Sequence, residues 1–213
     1  MKRVATHDCD LILVVRNEVR STRIRERVST MLCSAGFLLS MSLGNAMDTE
    51  ANSFRCIRKM TPVRQFYLDN LQGNLDATLA AANSTTGAVY PPGSLLQLIP
   101  GEAMVKHDRG FNAETHDWEF FELDVSKDGT KIRKRGFADV VNRFGGNCFV
   151  CHSAARPQWD LVCETDHGCA PLAVTHAMTR ALQRTDPRCD NLPISPEDAE
   201  ALKQLEQLLK APR

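Results

Sequence analysis

The chain has 213 residues, of which 43% are hydrophobic and 24% are charged, as expected for one ordinary globular domain. Lys plus Arg and Asp plus Glu balance at 26 each, so the formal net charge is zero. This balance argues against nucleic acid or an anionic membrane surface as the partner. It favours a small molecule or a redox protein.

Residues 1–46 carry the features of an export signal. They hold seven basic and four acidic residues. The apolar run at 31–43 is too short to span a bilayer. Gly44 and Ala46 then offer the small residues that a signal peptidase reads.

The basic region before the apolar run is long for a signal, so we expect the true start between residues 19 and 31. A buried N-terminal helix over 28–43 is the alternative. The prediction is therefore a signal or overrun at 1–46 and a single domain at 47–213. Export to the periplasm follows from the signal, with no stable membrane span after processing.

The next segment predicts helices. Thr61 is a favourable N-cap and Pro62 is favoured at the first helical position. Apolar residues continue at helical spacing through 63–82, past a tolerated Gly73. One or two N-terminal helices are expected.

The central segment predicts an antiparallel β unit, because its apolar residues alternate with polar ones. Ala103 and Val105 fall on one side of their strand, and Met104 and Lys106 on the other. The predicted strands are 94–99, 102–107, 117–125 and 131–135, with a hairpin turn at 126–130.

The C-terminal third predicts helices again. A helical turn is expected at 138–144 and a helix at 173–183. A last helix begins with Ser195 as its cap and acidic residues in its first turn. Its predicted apolar face is Leu202, Leu205, Leu208 and Leu209. Helices on both sides of a strand-rich centre predict the α+β class, a small antiparallel sheet flanked by N- and C-terminal helices.

A C-x-x-C-H motif occupies 148–152. The thiols of Cys148 and Cys151 can add across the two vinyl groups of a haem, and His152 then becomes an axial ligand of the iron. We predict one covalently bound haem c, with these three residues binding the cofactor and His152 as the metal ligand. The alternatives are a redox dithiol and half of a zinc site, which need a βαβ setting or a second close Cys/His pair.

The other cysteines predict disulfides. Cys9 and Cys33 leave with the signal, so four remain besides the two of the motif. An even number in an exported chain favours pairing. We predict one bond between Cys163 and Cys169, and another between Cys56 and Cys189.

Six short runs of residues around the motif together form a pattern that can be compared with those of known protein families. They are Met104 to Lys106, Phe111-Asn112, Asp117 to Phe121, Asp128-Gly129, Gly145 to His152 and Trp159-Asp160. The pattern resembles the cytochrome P-460 family and its relatives, the β-sheet cytochromes c-prime. The resemblance covers roughly residues 90 to 163.

This resemblance implies a small antiparallel β-fold with one haem, His152 as the proximal ligand, and an open or weakly occupied distal side. In the enzymes of the family a lysine is bonded to the haem, and hydroxylamine or nitric oxide is processed. Lys106 is similar in its Met-x-Lys setting, so the resemblance makes it the candidate catalytic residue. The alternative for Lys106 is a solvated strand lysine.

The sixth iron ligand decides between electron transfer and small-molecule chemistry. We expect His116 and His167 at the solvated surface, and the two methionines among the candidates in the core. The candidates are His107, His116, His167, His176, Met104 and Met178.

Two functions follow as expectations. One is an exported mono-haem cytochrome that binds or processes small nitrogen species; the other is a periplasmic electron carrier without turnover. The expected partners are a small-molecule ligand or a redox protein, and a homodimer is compatible with either function. A disulfide-stabilised binding module without haem is a third class.

Overall fold

A six-stranded antiparallel sheet forms the centre of the computed structural model, which describes residues 48–190 and 192–210. The strands lie side by side in chain order. They are β1 (Thr61–Val63), β2 (Phe66–Asn70), β3 (Ser94–Gln97), β4 (Glu102–Lys106), β5 (Trp118–Ser126) and β6 (Gly129–Gly136). With its helices, this sheet confirms the predicted α+β class. The predicted signal at 1–46 lies outside the described residues.

Helices flank the sheet within this described part. The α-helices are α1 (Leu75–Ala82), α2 (Cys148–His152), α3 (His176–Arg184) and α4 (Pro196–Lys210). Short 3-10 helices occupy Ala51–Ser53, Ile57–Lys59, Pro157–Trp159 and Thr165–His167. None of the helices in residues 48–190 and 192–210 is long and apolar enough to cross a membrane.

The helix predicted from Thr61 is wrong, because β1 and β2 form a hairpin there. In Phe66–Asn70 every second residue is buried, which is the period of a strand. Pro62 is tolerated because β1 is an edge strand that pairs only with β2. The predicted helix is confirmed only from Leu75 onwards, where α1 begins.

The two C-terminal helices pack against each other. The predicted start of α4 is confirmed, since the Asp198 amide donates to Ser195 Oγ at 3.1 Å. The predicted apolar face is only partly right: Leu205 is buried, but Leu208 and Leu209 are 39% and 44% exposed. The buried residues shared by α3 and α4 are Met178, Ala181, Ala201 and Leu205.

Each face of the sheet carries its own apolar core, and the predicted alternation in β4 and β5 is confirmed. One core contains Leu95, Ala103, Val105, Phe121, Leu123, Phe54, Ile57 and Met60. The other contains Leu68, Leu96, Met104, Trp118 and Phe120, and Cys148 and Phe149 pack against it. Because side chains alternate along a strand, Glu102, Lys106 and Glu122 share this second side. We call it the motif face.

Two disulfides confirm the predicted pairing. Cys56 is bonded to Cys189 and Cys163 to Cys169. Asp186 lies beside the first bond, but its carboxylate accepts from the Ile57 amide at 2.9 Å. The two sulfurs of that cluster are bonded to each other, so it is a covalent tie rather than a metal site. Two disulfides are typical of an oxidising compartment.

The long disulfide should stabilise the fold more than the short one. The closed loops span 133 and 6 residues, and on the loop-entropy relation they contribute roughly 5 and roughly 2 kcal/mol. Cys56→Ala/Cys189→Ala should therefore lower the free energy of unfolding in urea by more than Cys163→Ala/Cys169→Ala, its matched control. Equal losses, or a larger loss from the short loop, would contradict this assignment.

Candidate functional site

The C-x-x-C-H motif forms the short helix α2. Asn147 fixes its start, because its Oδ1 accepts from the Val150 amide at 2.9 Å and its Nδ2 donates to the Ala138 carbonyl at 2.8 Å. The helical turn predicted at 138–144 is wrong. The chain forms turns there and an isolated bridge between Val141 and Asn147, which bring α2 back against the sheet.

The two thiols and the imidazole of the motif lie on the same side of α2, because residues spaced by three and four share a helix face. Cys148 packs against the core of the motif face, whereas Cys151 is exposed. Both are free thiols. Burial raises the pKa of Cys148 to about 12, and the nearby charges of Glu102 and Glu122 add to the effect. A thiol that stays protonated is a poor participant in disulfide exchange.

His152 is oriented by one main-chain contact. Its Nδ1 lies 2.7 Å from the carbonyl oxygen of Leu161. A carbonyl oxygen only accepts, so Nδ1 must carry the proton and the lone pair of the neutral ring lies on Nε2. Burial lowers the pKa of His152, against the opposing effect of the Leu161 hydrogen bond, and so favours the neutral ring. Metal-binding histidines are fixed by this kind of contact.

The carbonyl that orients His152 belongs to an unusual turn. Asp160 and Leu161 are consecutive residues with φ of 49° and 63°, a conformation that costs free energy for residues other than glycine. The indole Nε1 of Trp118 donates to the Asp160 carbonyl at 2.8 Å, and the Tyr90 amide donates to Asp160 Oδ2 at 2.9 Å. Contacts from two distant segments therefore hold the turn in place.

Lys106 is the third group that holds this turn. Its Nζ donates to Asp160 Oδ1 and Oδ2 at 2.9 and 2.8 Å, and to the His116 carbonyl at 2.6 Å. Lys106 and Asp160 are only 4% and 3% exposed. The ammonium also lies 5.1 Å from the centre of the Trp118 ring. Lys106 is therefore buried on the motif face, and the solvated alternative does not apply.

Two of the four histidines proposed as the sixth ligand are buried and contact other groups. His107 is buried with its Nε2 2.8 Å from Glu119, beside the core of the opposite face. His167 is buried, so its predicted surface position is wrong; it stacks on Trp159 with ring centres 3.7 Å apart. Exposed positions are found for His116 and His176.

The two methionines are buried, which confirms the expectation that both lie in the core. Met178 packs between α3 and α4. Met104 belongs to the core of the motif face, together with Phe120, whose ring centre lies 5.2 Å from that of His152. Among the six candidate ligands, Met104 is the one that shares a core with the motif.

An acidic pair lies at the other end of the motif face, in which Glu102 is half-buried. Glu102 and Glu122 are directly opposite each other on β4 and β5. Glu122 is fully buried, and its Oε1 accepts from Arg143 Nε at 2.6 Å. Burial and the charge of Glu122 together raise the pKa of Glu102 to about 7. This pair could not be predicted from the sequence, since neither carboxyl belongs to a motif.

Two surface cavities lie elsewhere, of about 190 and 490 Å³. The first is bordered by Arg64, His176 and Arg180, and the second by Lys59 and Arg188. No residue of the motif lines either cavity.

Comparison with known proteins adds no relative: no protein-family model, curated protein or solved structure matches the chain. The resemblance to cytochrome P-460 proteins therefore depends on the six runs of residues quoted above.

Removing the Lys106 ammonium should destabilise the fold strongly, because Asp160 would be left buried and unpaired. We expect Lys106→Met to lower the free energy of unfolding by about 3 to 5 kcal/mol. Lys134→Met is the matched control, since Lys134 and Asp139 pair at an exposed position and should contribute under about 1 kcal/mol. Adding Asp160→Asn to Lys106→Met should restore part of the loss in urea unfolding. Equal effects of Lys106→Met and Lys134→Met would contradict the burial of this pair.

Stability should also depend on the charge of Glu102. Between pH about 4.5, the ordinary pKa, and about 7, the raised pKa, the folded chain holds a proton that the unfolded chain has lost. This contribution to stability therefore declines as the pH rises through that window. Glu102→Gln should remove the decline, by up to roughly 3 kcal/mol between pH 5 and pH 8.

Urea unfolding of the parent, Glu102→Gln and the exposed control Glu114→Gln at both pH values measures this effect. The control should decline with pH as the parent does. A decline that is identical in parent and Glu102→Gln would contradict the raised pKa.

Proposed function

We propose that this protein is a mono-haem c-type cytochrome, with the haem bonded to Cys148 and Cys151 and its iron bound by His152. The observation that carries the proposal is the hydrogen bond from His152 Nδ1 to the Leu161 carbonyl. It leaves the Nε2 lone pair for a metal, which is what an axial ligand requires. The donor set fits as well, since two free thiols and the imidazole share one side of α2.

The zinc and dithiol alternatives find less support. Four neighbouring ligands would be needed for a structural zinc site. The nearest other cysteines, Cys163 and Cys169, are bonded to each other. A redox dithiol works through a thiolate of lowered pKa, whereas the pKa of Cys148 is raised.

The bound haem would supply a redox-active iron with one coordination position opposite His152. The protein's own part is to orient the imidazole, and Lys106 contributes through Asp160. The Lys106 ammonium and the Tyr90 amide hold the Asp160 carboxylate, and the adjoining Leu161 carbonyl then points at His152. In this arrangement Lys106 is a positioning residue as well as the candidate catalytic one.

For the chemistry, we propose binding or redox processing of small nitrogen species such as hydroxylamine and nitric oxide. The support is the resemblance of the strand pattern, together with a buried Lys106 on the same face as the motif. The second candidate is an electron carrier, favoured by the position of Met104 in the core that packs on Cys148.

A periplasmic location is part of the proposal. Its support is the pair of disulfides, which suits an oxidising compartment, and the signal-like character of residues 1–46. The proposed partner is a small ligand or a redox protein.

Haem attachment is tested by expressing the chain with a periplasmic cytochrome c maturation system. The intact mass should rise by one haem, and Cys148 and Cys151 should no longer be alkylated. His152→Ala should keep the mass increment but change the iron spectrum, because the axial ligand is lost. His176→Ala, an exposed histidine of α3, is the control and should leave both unchanged. An unmodified mass with both thiols alkylatable overturns the proposal.

The optical spectrum of the same protein separates the two functions. Sharp low-spin bands that Met104→Ala abolishes indicate the electron carrier. Broad high-spin or red-shifted bands, with nitric oxide binding, indicate the open site. In the second case Lys106→Ala should change the spectrum and the ligand affinity while haem attachment persists.

A further inference from the structure

A carboxyl pair on the motif face, Glu102 and Glu122, has no role in the function proposed above. We propose that Glu102, coupled to Glu122, is a proton-binding site that takes up one proton when the neighbouring haem site gains one electron. This inference rests on the proposed attachment of haem at Cys148.

The geometry places two acids where a single proton is best shared. Glu102 and Glu122 occupy directly opposed positions of neighbouring antiparallel strands, with side chains on the same face. Two carboxylates this close resist full ionisation. Glu122 Oε2 is buried without a hydrogen-bond partner among the described residues. A buried orphan oxygen of this kind is costly unless a proton or a water is nearby.

The two acids differ in their partners, and this decides which one takes the proton. Glu122 accepts from Arg143 Nε at 2.6 Å, and Arg133 lies 3.5 Å from the same oxygen. Glu122 therefore has two cationic guanidinium groups as neighbours. Glu102 accepts from the neutral Asn142 Nδ2 at 2.9 Å. Glu102 is therefore the group on which the proton resides.

The Asn142 amide cannot turn round to accept from a protonated Glu102. Its Oδ1 already accepts from the amides of Phe144 and Gly146, at 3.1 and 2.8 Å. The side chain is thereby fixed with Nδ2 toward Glu102. The same loop leads directly into Cys148, whose amide donates to the Val140 carbonyl at 2.9 Å.

The charges that face Glu102 come from several elements. Glu122 on β5 raises the pKa of Glu102 to about 7 together with burial, whereas Asn142 and Arg143 of the loop before α2 oppose the rise. Arg143 also contacts Asp124, at 3.2 Å, so its charge is shared among acids. The carboxyls act in turn on Cys148, whose pKa they help to raise. The pair is therefore close enough to the attachment thiol to act on it electrostatically.

The proposed step balances in charge and atoms. A haem bonded at Cys148 and Cys151 would accept one electron from an external one-electron donor, and its iron would change from the ferric to the ferrous state. One proton leaves water and forms an O–H bond on the Glu102 carboxylate, and no other bond forms or breaks. The added negative charge raises the proton affinity of Glu102, so reduction and protonation favour each other.

Two measurements test the proposal on the haem-loaded chain. Infrared difference spectra between pH 5 and pH 9 should show the C=O stretch of a protonated carboxyl group that is lost near pH 7. A potentiometric titration should show the reduction equilibrium falling up to tenfold per pH unit around neutral pH, the limit for one proton per electron. Glu102→Gln should abolish the infrared band and flatten the potential.

Two further variants make the test specific. Glu122→Gln removes the neighbouring charge and should shift the infrared titration to lower pH. The exposed Glu114→Gln is the control and should change neither measurement. A band that survives in Glu102→Gln overturns the proton site, and a pH-independent potential in the parent overturns the coupling. A chain that carries no haem defeats the proposed function and the coupling together, while the infrared titration still decides whether Glu102 holds the proton.

Discussion

The hydrogen bond from His152 Nδ1 to the Leu161 carbonyl is the contact on which the rest of the candidate site depends. It fixes the tautomer of the imidazole and so leaves Nε2 as the group that can bind a metal. The carbonyl faces His152 because Asp160 and Leu161 both adopt left-handed conformations. Such a turn persists only where the surrounding structure holds it, and here the Lys106 ammonium, the Trp118 indole and the Tyr90 amide do so.

The motif face combines an apolar centre with charges at both ends of β4. Lys106 lies at one end and Glu102 at the other, about 13 Å apart at the rise of a strand. Met104 lies between them in the core that packs on Cys148. A buried Lys–Asp pair adds little net stability over an apolar pair, since desolvation offsets most of the attraction. We infer that the role of the Lys106–Asp160 pair is to fix the position of the Leu161 carbonyl.

The strands between residues 94 and 135 could be predicted from the sequence, because alternation is a local signal. The same alternation placed Met104 and Lys106 on one side of β4 and Ala103 and Val105 on the other. Both disulfides could be predicted as well, because the number of cysteines can be counted. Prediction failed at 61–70, where a short apolar run fits helix and strand periods equally well. It also missed Asp160 as the partner of Lys106, 54 residues away, and the Glu102–Glu122 pair. Contacts of this kind depend on strand register and on a loop that returns to the sheet, and no periodicity encodes them.

The most direct test of the account is the tautomer of His152 in the full chain before haem attachment. Nitrogen NMR of protein with labelled histidines distinguishes a protonated Nδ1 from a protonated Nε2. We predict a neutral His152 ring at pH 7, with the proton on Nδ1, slow exchange of that proton and an unprotonated Nε2. Asp160→Asn/Lys106→Met should loosen this arrangement. A ring protonated on Nε2, or one that averages rapidly between both forms in the parent chain, would contradict the claim that this fold presents His152 as a metal ligand.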